Sequence, residues 1–557
     1  MSKNKLLPLL ILASFLILRV IKFSIFLATI NIQVDFIKLL TLTITGFIIY
    51  FFSLRNKVLA IITYIFESFW ISLNSIYFLY FDNYFHILSF FFHLSTNFSS
   101  AKESISFLSA INVISWANRL AVITIDLVPF ILILLKSNYP SIKEILKTKI
   151  SKYLFLSFIS ILLTLELINT FKGKGLIQYI SKSLNGDITI KEEKQIIHQY
   201  GTIFINSLDI AYLINKNIIY KKLSKYKSIQ FKENNNKKNF IIIQVESLDS
   251  SIIFTNYKNV PITPFLRKLS SNSIFFPYTV SYHFAGYTSD AEFTVINSIH
   301  PLKDIPSIRY WEKFDNSIAK IFKKNNYNVW AFHNNHGRFF GRKEVYKKMG
   351  FDEFFDVNKM NLIEKRWGAE DKDMLNFVYN FVITNNNKNF FSYIITMSSH
   401  GPFNLVQNYY TNELFNDIED EITKNYFNSM NYVDKVLSNF ITKTSKLSDT
   451  IIVIFGDHHS SVGDSKYYKR SVSYLNGKVI EIVPLFILYN NHKKIITEPV
   501  SQLDIGPTIL SISGIKAKIK TMGEVILPYP KEDKIFYLGE FIKKDEIKNN
   551  LNFDNIN

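Results

Sequence analysis

Four stretches of this chain place a carboxylate or an imidazole just behind a short apolar run. Glu246 follows Phe240–Val245 (FIIIQV), and His333 follows Asn328–Phe332 (NVWAF). His400 comes three residues after Phe390–Met397 (FFSYIITM), and Asp457-His458-His459 follow Thr450–Phe455 (TIIVIF) and Gly456. Carboxylates and imidazoles ligate divalent metals and move protons. A lone histidine behind a strand is most often an ordinary hydrogen-bonding residue, but polar groups at the same place behind four runs point to one shared site. A fifth segment, Ala285-Gly286-Tyr287-Thr288-Ser289-Asp290-Ala291-Glu292-Phe293, turns at Gly286 and enters a helix-like stretch to Ile299. A hydroxyl at such a helix start lies beside unpaired N–H groups and the positive end of the dipole, which suits an alkoxide and the phosphate it attacks. Taken alone, the segment reads as a helix start with Thr288 or Ser289 as an ordinary N-cap.

These residues need a scaffold. The four runs, with Ile482–Leu488 (IVPLFIL), are nearly continuous in apolar character, which suits parallel strands buried on both faces. Helix-like sequence separates them, as at Ser317–Lys324 and Tyr426–Lys443. The alternation predicts a doubly wound α/β domain with a mainly parallel central sheet and right-handed crossovers. In such a sheet the carboxyl ends of the strands line the ligand crevice, so the four polar groups are expected along one edge. Gln502–Leu510 predicts a packing helix with Asp504 as its cap. The Lys/Asn tracts at 232–238 and 384–389 predict solvated loops. His283, His300 and His336 are expected to make local hydrogen bonds, and His459 to stand just outside the ligand pair.

The chain has 557 residues, 48% of them hydrophobic and 16% aromatic, which excludes a disordered chain. It has no cysteine, which excludes a disulfide framework, a zinc knuckle, a thiol nucleophile and a sulfatase whose nucleophile is made from cysteine. The net charge of +18 is Lys-rich and comes with abundant Asn, Ile and Phe, so it reads as compositional bias and no nucleic-acid partner is expected.

Long apolar runs crowd the first third: Leu6–Ile30, Phe36–Ser53, Val58–Phe81, Ile111–Leu135 and Tyr153–Ile168. Each approaches the roughly 20 residues that cross a bilayer, so about five spans are expected, the first as an uncleaved anchor. Lys3, Lys5, Arg55, Lys57, Lys136, Lys143, Lys147, Lys149 and Lys152 fall before the first span and in alternate loops, whereas Asn31–Asp35 has no Lys or Arg and Asp82–Ala110 only Lys102. The positive-inside rule then puts the N-terminus in the cytoplasm and everything after Ile168 outside. Glu67, Arg119 and Asp126 lie in or beside spans, either as interhelical partners or as contacts for a lipid headgroup. The expected organisation is a transmembrane anchor domain over 1–170, a partly helical juxtamembrane connector over 171–238, a catalytic domain over 239–535 and a polar tail over 536–557.

Six motifs, in order, resemble the alkaline phosphatase/sulfatase superfamily, and within it the lipoteichoic-acid-synthase-like phosphoglycerol transferases. They are Val245-Glu246-Ser247, Gly286 to Phe293, and His333-Asn334-Asn335 with Phe340-Gly341-Arg342. Ser398-Ser399-His400-Gly401-Pro402-Phe403, Gly456-Asp457-His458 and Gln502 to Leu510 complete the set. The resemblance implies a sulfatase-like α/β fold behind a five-span anchor. It implies one divalent metal held by Glu246, Thr288, Asp457 and His458, with Thr288 also the nucleophile. His400, Arg342 and His333 would handle the substrate phosphate. Such a donor set leans to hard ions, Mn²⁺ or Mg²⁺, with Zn²⁺ an alternative. Asn335 and Phe340 stand where lipoteichoic acid synthases often have an acidic residue and a tryptophan beside the glycerol phosphate, so this chain departs from the family at its glycerol subsite. The implied activity is transfer of phosphoglycerol from phosphatidylglycerol to a glycolipid, polymer or glycan hydroxyl through a phospho-threonine, in the plasma membrane with the catalytic domain outside. Phosphoethanolamine transfer, phosphodiester hydrolysis and a catalytically inactive membrane sensor or scaffold are the alternatives.

Overall fold

The computed structural model describes residues 3–29, 56–81, 124–135, 175, 177–180 and 226–552, apart from 235, 285, 303–305, 311–312, 366–367, 461 and 476–477. The chain divides into two compact units, Met1–Phe91 with Phe98–Ile219, and Phe92–Asn97 with Tyr220–Asn557.

In the first unit, α1 (Lys3–Thr29), α2 (Lys57–Phe81) and α3 (Leu127–Leu135) are described. They contain the expected first and third spans and the end of the fourth. Phe36–Ser53, Tyr153–Ile168, Arg119 and nearly all of the connector lie outside the described residues. Among those described, Lys57–Ser75 of α2 is long and apolar enough to cross a membrane. The three helices meet on charge as well as on rings. Arg19 Nη2 lies 2.6 Å from Glu67 Oε1 and its Nη1 3.4 Å from Asp126 Oδ2, and Lys22 Nζ lies 3.1 Å from Asp126 Oδ1. The Tyr64 hydroxyl donates to Asp126 at 2.7 Å, and its ring stacks on Phe130 at 4.2 Å. Buried charges are tolerated when paired, and here two cations meet two carboxylates. Glu67 and Asp126 are therefore interhelical partners.

The second unit is built on a mixed sheet. Its main strands are β1 (Lys227–Phe231), β2 (Asn239–Val245), β3 (Ile274–Val280), β4 (Asn328–His333), β5 (Glu353–Phe355), β6 (Phe390–Ile395), β7 (Thr450–Gly456), β8 (Val472–Leu475), β9 (Lys478–Leu488), β10 (Lys494–Ile495), β11 (Val500–Ser501), β12 (Ala517–Thr521), β13 (Lys534–Tyr537) and β14 (Glu540–Lys543). The large sheet runs β10-β3-β9-β7-β2-β6-β4-β5, with β8 on β9 and β11 on β3. Strands β7, β2, β6, β4 and β5 are mutually parallel. Their apolar runs are continuous because both faces are covered. On one face Ile241, Ile243 and Val245 join residues of α8 (Asp371–Thr384) and α9 (Glu421–Thr444) in a buried cluster. On the other, Phe322 of α6 (Ile318–Lys324) packs on Phe240 and Phe391 at 5.3 and 4.7 Å. Helices at Pro264–Ser270 (α4), Thr288–Asn297 (α5), Arg342–Met349 (α7) and Ile505–Ile512 (α10) complete the frame.

Three expectations need correction. Ile482–Leu488 belongs to β9, which is antiparallel to both β7 and β3. It too is buried on both faces, and a fully buried antiparallel strand shows the same continuous apolar pattern as a parallel one. Strand β3 (IFFPYTV), with all seven residues buried, was not anticipated. Pro277 argues against an interior strand, and the β3–β9 ladder accommodates it, opposite Pro484, where the register shifts between Val483 and Leu485. Residues 536–552 are folded rather than a polar tail: β13 and β14 form a hairpin, Lys544–Asn549 is helical with Ile547 fully buried, and the Asn552 N–H donates to the Val472 carbonyl. The Gln502–Leu510 helix is present as a 3₁₀ turn leading into α10, with Ser501 and Asp504 forming a capping box.

Candidate active site

Parallel registry brings the ends of four strands level. Ile395 pairs with both Gln244 and His333, and Gly456 pairs with Val245. Glu246 and Asp457 thus leave adjacent strands side by side, with His333 ending the next strand but one. The Asp457 carboxylate is half committed: Oδ1 accepts the N–H groups of Ser247 and His458, each at 2.8 Å. Its Oδ2 is buried and has no hydrogen-bond partner among the described residues. Glu246 Oε1 accepts from Ser247 Oγ at 3.1 Å and lies 3.3 Å from His458 Nε2. Its Oε2 accepts from Thr288 Oγ1 at 3.0 Å.

Thr288 opens α5. The residue before it, Tyr287, has φ 49°, a left-handed conformation that a non-glycine residue holds only under constraint. The constraint is Asp290, which turns back to accept the N–H groups of Phe284 and Gly286 at 2.9 Å each. A Cβ on Gly286 would lie 2.1 Å from Asp290 Oδ1, so the turn closes only around a glycine. The far side of Thr288 is fixed by Gln244, whose Nε2 donates to the Thr288 carbonyl at 3.1 Å while its Oε1 accepts the Tyr393 hydroxyl at 2.7 Å.

Three histidines share one device. Nδ1 of His333, His400 and His458 faces the carbonyls of Ile395, Gly401 and His459, at 3.0, 2.6 and 2.8 Å. A carbonyl only accepts, so each Nδ1 carries hydrogen and Nε2 is the nitrogen left for chemistry. Burial works against the Glu246 charge, yet His400 and His458 hold its carboxyl well below the usual carboxylate range. Burial and the Glu246 charge together push Asp457 well above it. Burial disfavours a charged His458, but Asp457 and Glu246 outweigh it and raise the imidazole well above its ordinary value. Burial and the Arg342 charge push His333 down to about 3, so it is neutral.

One ligand atom from each of Glu246, Asp457 and His458 lies within 4.8 Å of the others. The bare Asp457 oxygen, the available His458 Nε2 and the neighbouring Thr288 hydroxyl make a donor set that fits a divalent cation. Arg342 is less free than the sequence suggested. Its Nε and Nη2 are taken up by the Glu292 carboxylate at 2.6–3.1 Å, and the Tyr346 hydroxyl supports the same carboxylate at 2.7 Å. Its guanidinium carbon lies 5.2 Å from the Phe340 ring centre. Asn335 is buried and accepts from the His336 N–H at 2.7 Å.

Sequence reasoning gave no individual role to Gln244, Ser247, Glu292 or Gln502, although they lie in the runs and motifs it singled out, and it missed Glu481. Gln502 donates to the carbonyls of Gly456 and Asp457 at 2.9 and 2.8 Å, bracing the turn that carries Asp457 and His458. For Gln244 and Glu481 the available signal was a single polar residue inside an apolar strand.

Residues 238–515 match the family model described as sulfatase. They form a sulfatase-family domain. The chain is 31% identical over 328 residues to lipoteichoic acid synthase 2 of Bacillus subtilis, covering 55% of this chain and 50% of that protein. It is 28% identical over 333 residues to the lipoteichoic acid synthase of Staphylococcus aureus, covering 56% and 50%. The chain thus spans about half the length of the curated relatives it matches. Its fold is similar to that of the integral membrane protein lipooligosaccharide phosphoethanolamine transferase A (EptA) of Neisseria meningitidis, with TM-score 0.53 and 16% identity, over 91% of this chain and 95% of that one. Within the sulfatase-family domain, Thr288 occupies the helix start beside the carboxylate cluster, and the chain contains no cysteine.

Proposed function

We propose that this chain is a membrane-bound, metal-dependent phosphotransferase that moves phosphoglycerol from phosphatidylglycerol to an extracytoplasmic hydroxyl on a glycolipid, polyglycerolphosphate or glycan. The observation that carries the reading is the contact of Thr288 Oγ1 with Glu246 inside a buried carboxylate–imidazole cluster, at the first residue of α5. The similarity to lipoteichoic acid synthases supports a phosphoglycerol transferase. Glu246, Asp457, His458 and Thr288 would hold the ion, Mn²⁺ in preference to Mg²⁺ or Zn²⁺. When bound, a divalent ion lowers the pKa of a coordinated hydroxyl and stabilises charge on a phosphoryl oxygen.

Thr288 Oγ attacks the phosphorus of the donor. The Oγ–P bond forms as the P–O bond to diacylglycerol breaks, and the threonine hydrogen is directed at Glu246. His400, in its imidazolium form with Nδ1–H held by the Gly401 carbonyl, gives its Nε2 proton to the leaving diacylglycerol oxygen. In the second half the acceptor hydroxyl attacks the phospho-threonine in line, the P–Oγ bond breaks as the new P–O bond forms, His400 Nε2 takes the acceptor's proton, and the hydrogen held at Glu246 returns to Thr288 Oγ. Glu292 holds one edge of Arg342, which leaves Nη1 as a donor to a phosphate oxygen, with the neutral His333 alongside. The loop charges support about five spans, a cytoplasmic N-terminus and a catalytic domain outside.

Incubation of the purified chain and Mn²⁺ with acyl-labelled phosphatidylglycerol or phosphatidylethanolamine tests this. Diacylglycerol should appear from phosphatidylglycerol and vanish in Thr288→Ala. Release from phosphatidylethanolamine alone would mean phosphoethanolamine transfer, free glycerophosphate with no extended acceptor would mean hydrolysis, and release from neither would mean a non-catalytic role.

A further inference from the structure

The ring of His458 is restrained from two sides, and both restraints end on one carboxylate. Its face stacks on His283, with ring centres 4.2 Å apart and planes within 14°. Its Nδ1–H is donated to the His459 carbonyl at 2.8 Å. Glu481, on β9, reaches both neighbours: Oε1 lies 3.0 Å from His283 Nδ1, and Oε2 accepts the His459 N–H at 3.1 Å. The Ser281 hydroxyl also meets Oε2 at 3.4 Å, and His459 Nε2 lies 3.7 Å from Oε1. We propose that Glu481 is the positioning residue for the metal ligand His458, fixing the plane of its ring through His283 and its tautomer and swing through the peptide of His459. The proposal deepens the metal-site reading above and rests on it.

Glu481 itself is not one of the three residues whose ligand atoms converge. It sits between Ile480 and Ile482, both fully buried, where an apolar residue would be the cheaper choice for folding. What the carboxylate supplies is two acceptor oxygens on one rigid plane, able to grip a ring nitrogen and a main-chain N–H at once. Partners that set the orientation and hydrogen-bonded state of a ligating imidazole govern metal affinity without touching the ion.

The test is Mn²⁺ binding to the full-length chain, purified in detergent and stripped of metal, measured by calorimetry and by the paramagnetic signal of free Mn²⁺. Wild type, Glu481→Ala, Glu481→Gln and His458→Ala are compared, with unfolding of each metal-free protein measured alongside. Glu481→Ala should bind Mn²⁺ on the order of 10–100-fold more weakly. Glu481→Gln, which keeps one acceptor oxygen at the same volume, should fall between it and wild type, with metal-free unfolding unchanged. Should the alanine variant fail to fold, the isosteric glutamine variant carries the test. Binding by Glu481→Gln and any folded Glu481→Ala within twofold of wild type, while His458→Ala loses it, overturns the role of Glu481 alone. Equal binding by wild type and His458→Ala overturns the metal-site reading and this proposal with it.

Discussion

At Asp457 one carboxylate oxygen holds the turn together, and the other makes no hydrogen bond among the described residues and lies 3.6 Å from His458 Nε2. Asp457→Asn keeps an acceptor for the Ser247 and His458 N–H groups but replaces the charged oxygen of the cluster. The expected result is a folded protein whose metal content, by elemental analysis after purification, falls well below that of wild type, in line with a loss of about 10–100-fold in affinity. Unchanged metal content would contradict the ligand role. That Glu246, Asp457 and His458 converge was legible in the sequence because they stand directly behind apolar runs, where strand ends expose side chains to a crevice. The sequence offered Arg342 as a phosphate-handling residue and did not disclose its pairing with Glu292, since that pairing joins two helices whose approach no local pattern records.

Among the elements, the turn into α5 matters most. The Gly-Tyr-Thr-Ser-Asp order reads as a helix start, and it is one. What the sequence did not disclose is that the fifth residue folds back into the turn, that Tyr287 is held at positive φ, and that Gln244 grips the Thr288 carbonyl from the sheet. Gly286→Ala forces a Cβ against Asp290 and displaces the nucleophile without removing any reacting group. Turnover should fall by on the order of 100-fold, the scale on which a misplacement near 1 Å acts. A kcat within twofold of wild type would show that the turn does not position Thr288. Strand direction was the least legible feature, because β9 and its parallel neighbours are buried alike and share one hydrophobic pattern.

Across the whole molecule, the division into an apolar N-terminal third and an α/β remainder was readable from composition, whereas the folding of residues 534–552 was not. That polar stretch is held by partners distant in sequence. One of them is His300, buried among the rings of Tyr282, Phe284, Phe536 and Tyr537, with Nδ1 donating to the Pro301 carbonyl at 2.6 Å and Nε2 accepting the Leu538 N–H at 3.0 Å. Burial pushes its pKa down to about 4. The unfolded chain therefore binds the proton first as pH falls below about 6.5, and the stability supplied by neutral His300 is present above that pH and lost toward 4. Any advantage of wild type over His300→Phe in unfolding free energy should shrink by about 1.4 kcal/mol per pH unit across that window. A pH-independent difference would mean that His300 is not held neutral.

Mass spectrometry of the peptide containing Thr288, after brief exposure of the purified chain to phosphatidylglycerol and a rapid acid quench, bears most directly on the central claim. A glycerophosphoryl group on Thr288, absent from the His458→Ala variant, is the predicted result. Diacylglycerol release with Thr288 unmodified, or with the group on another residue, would contradict it.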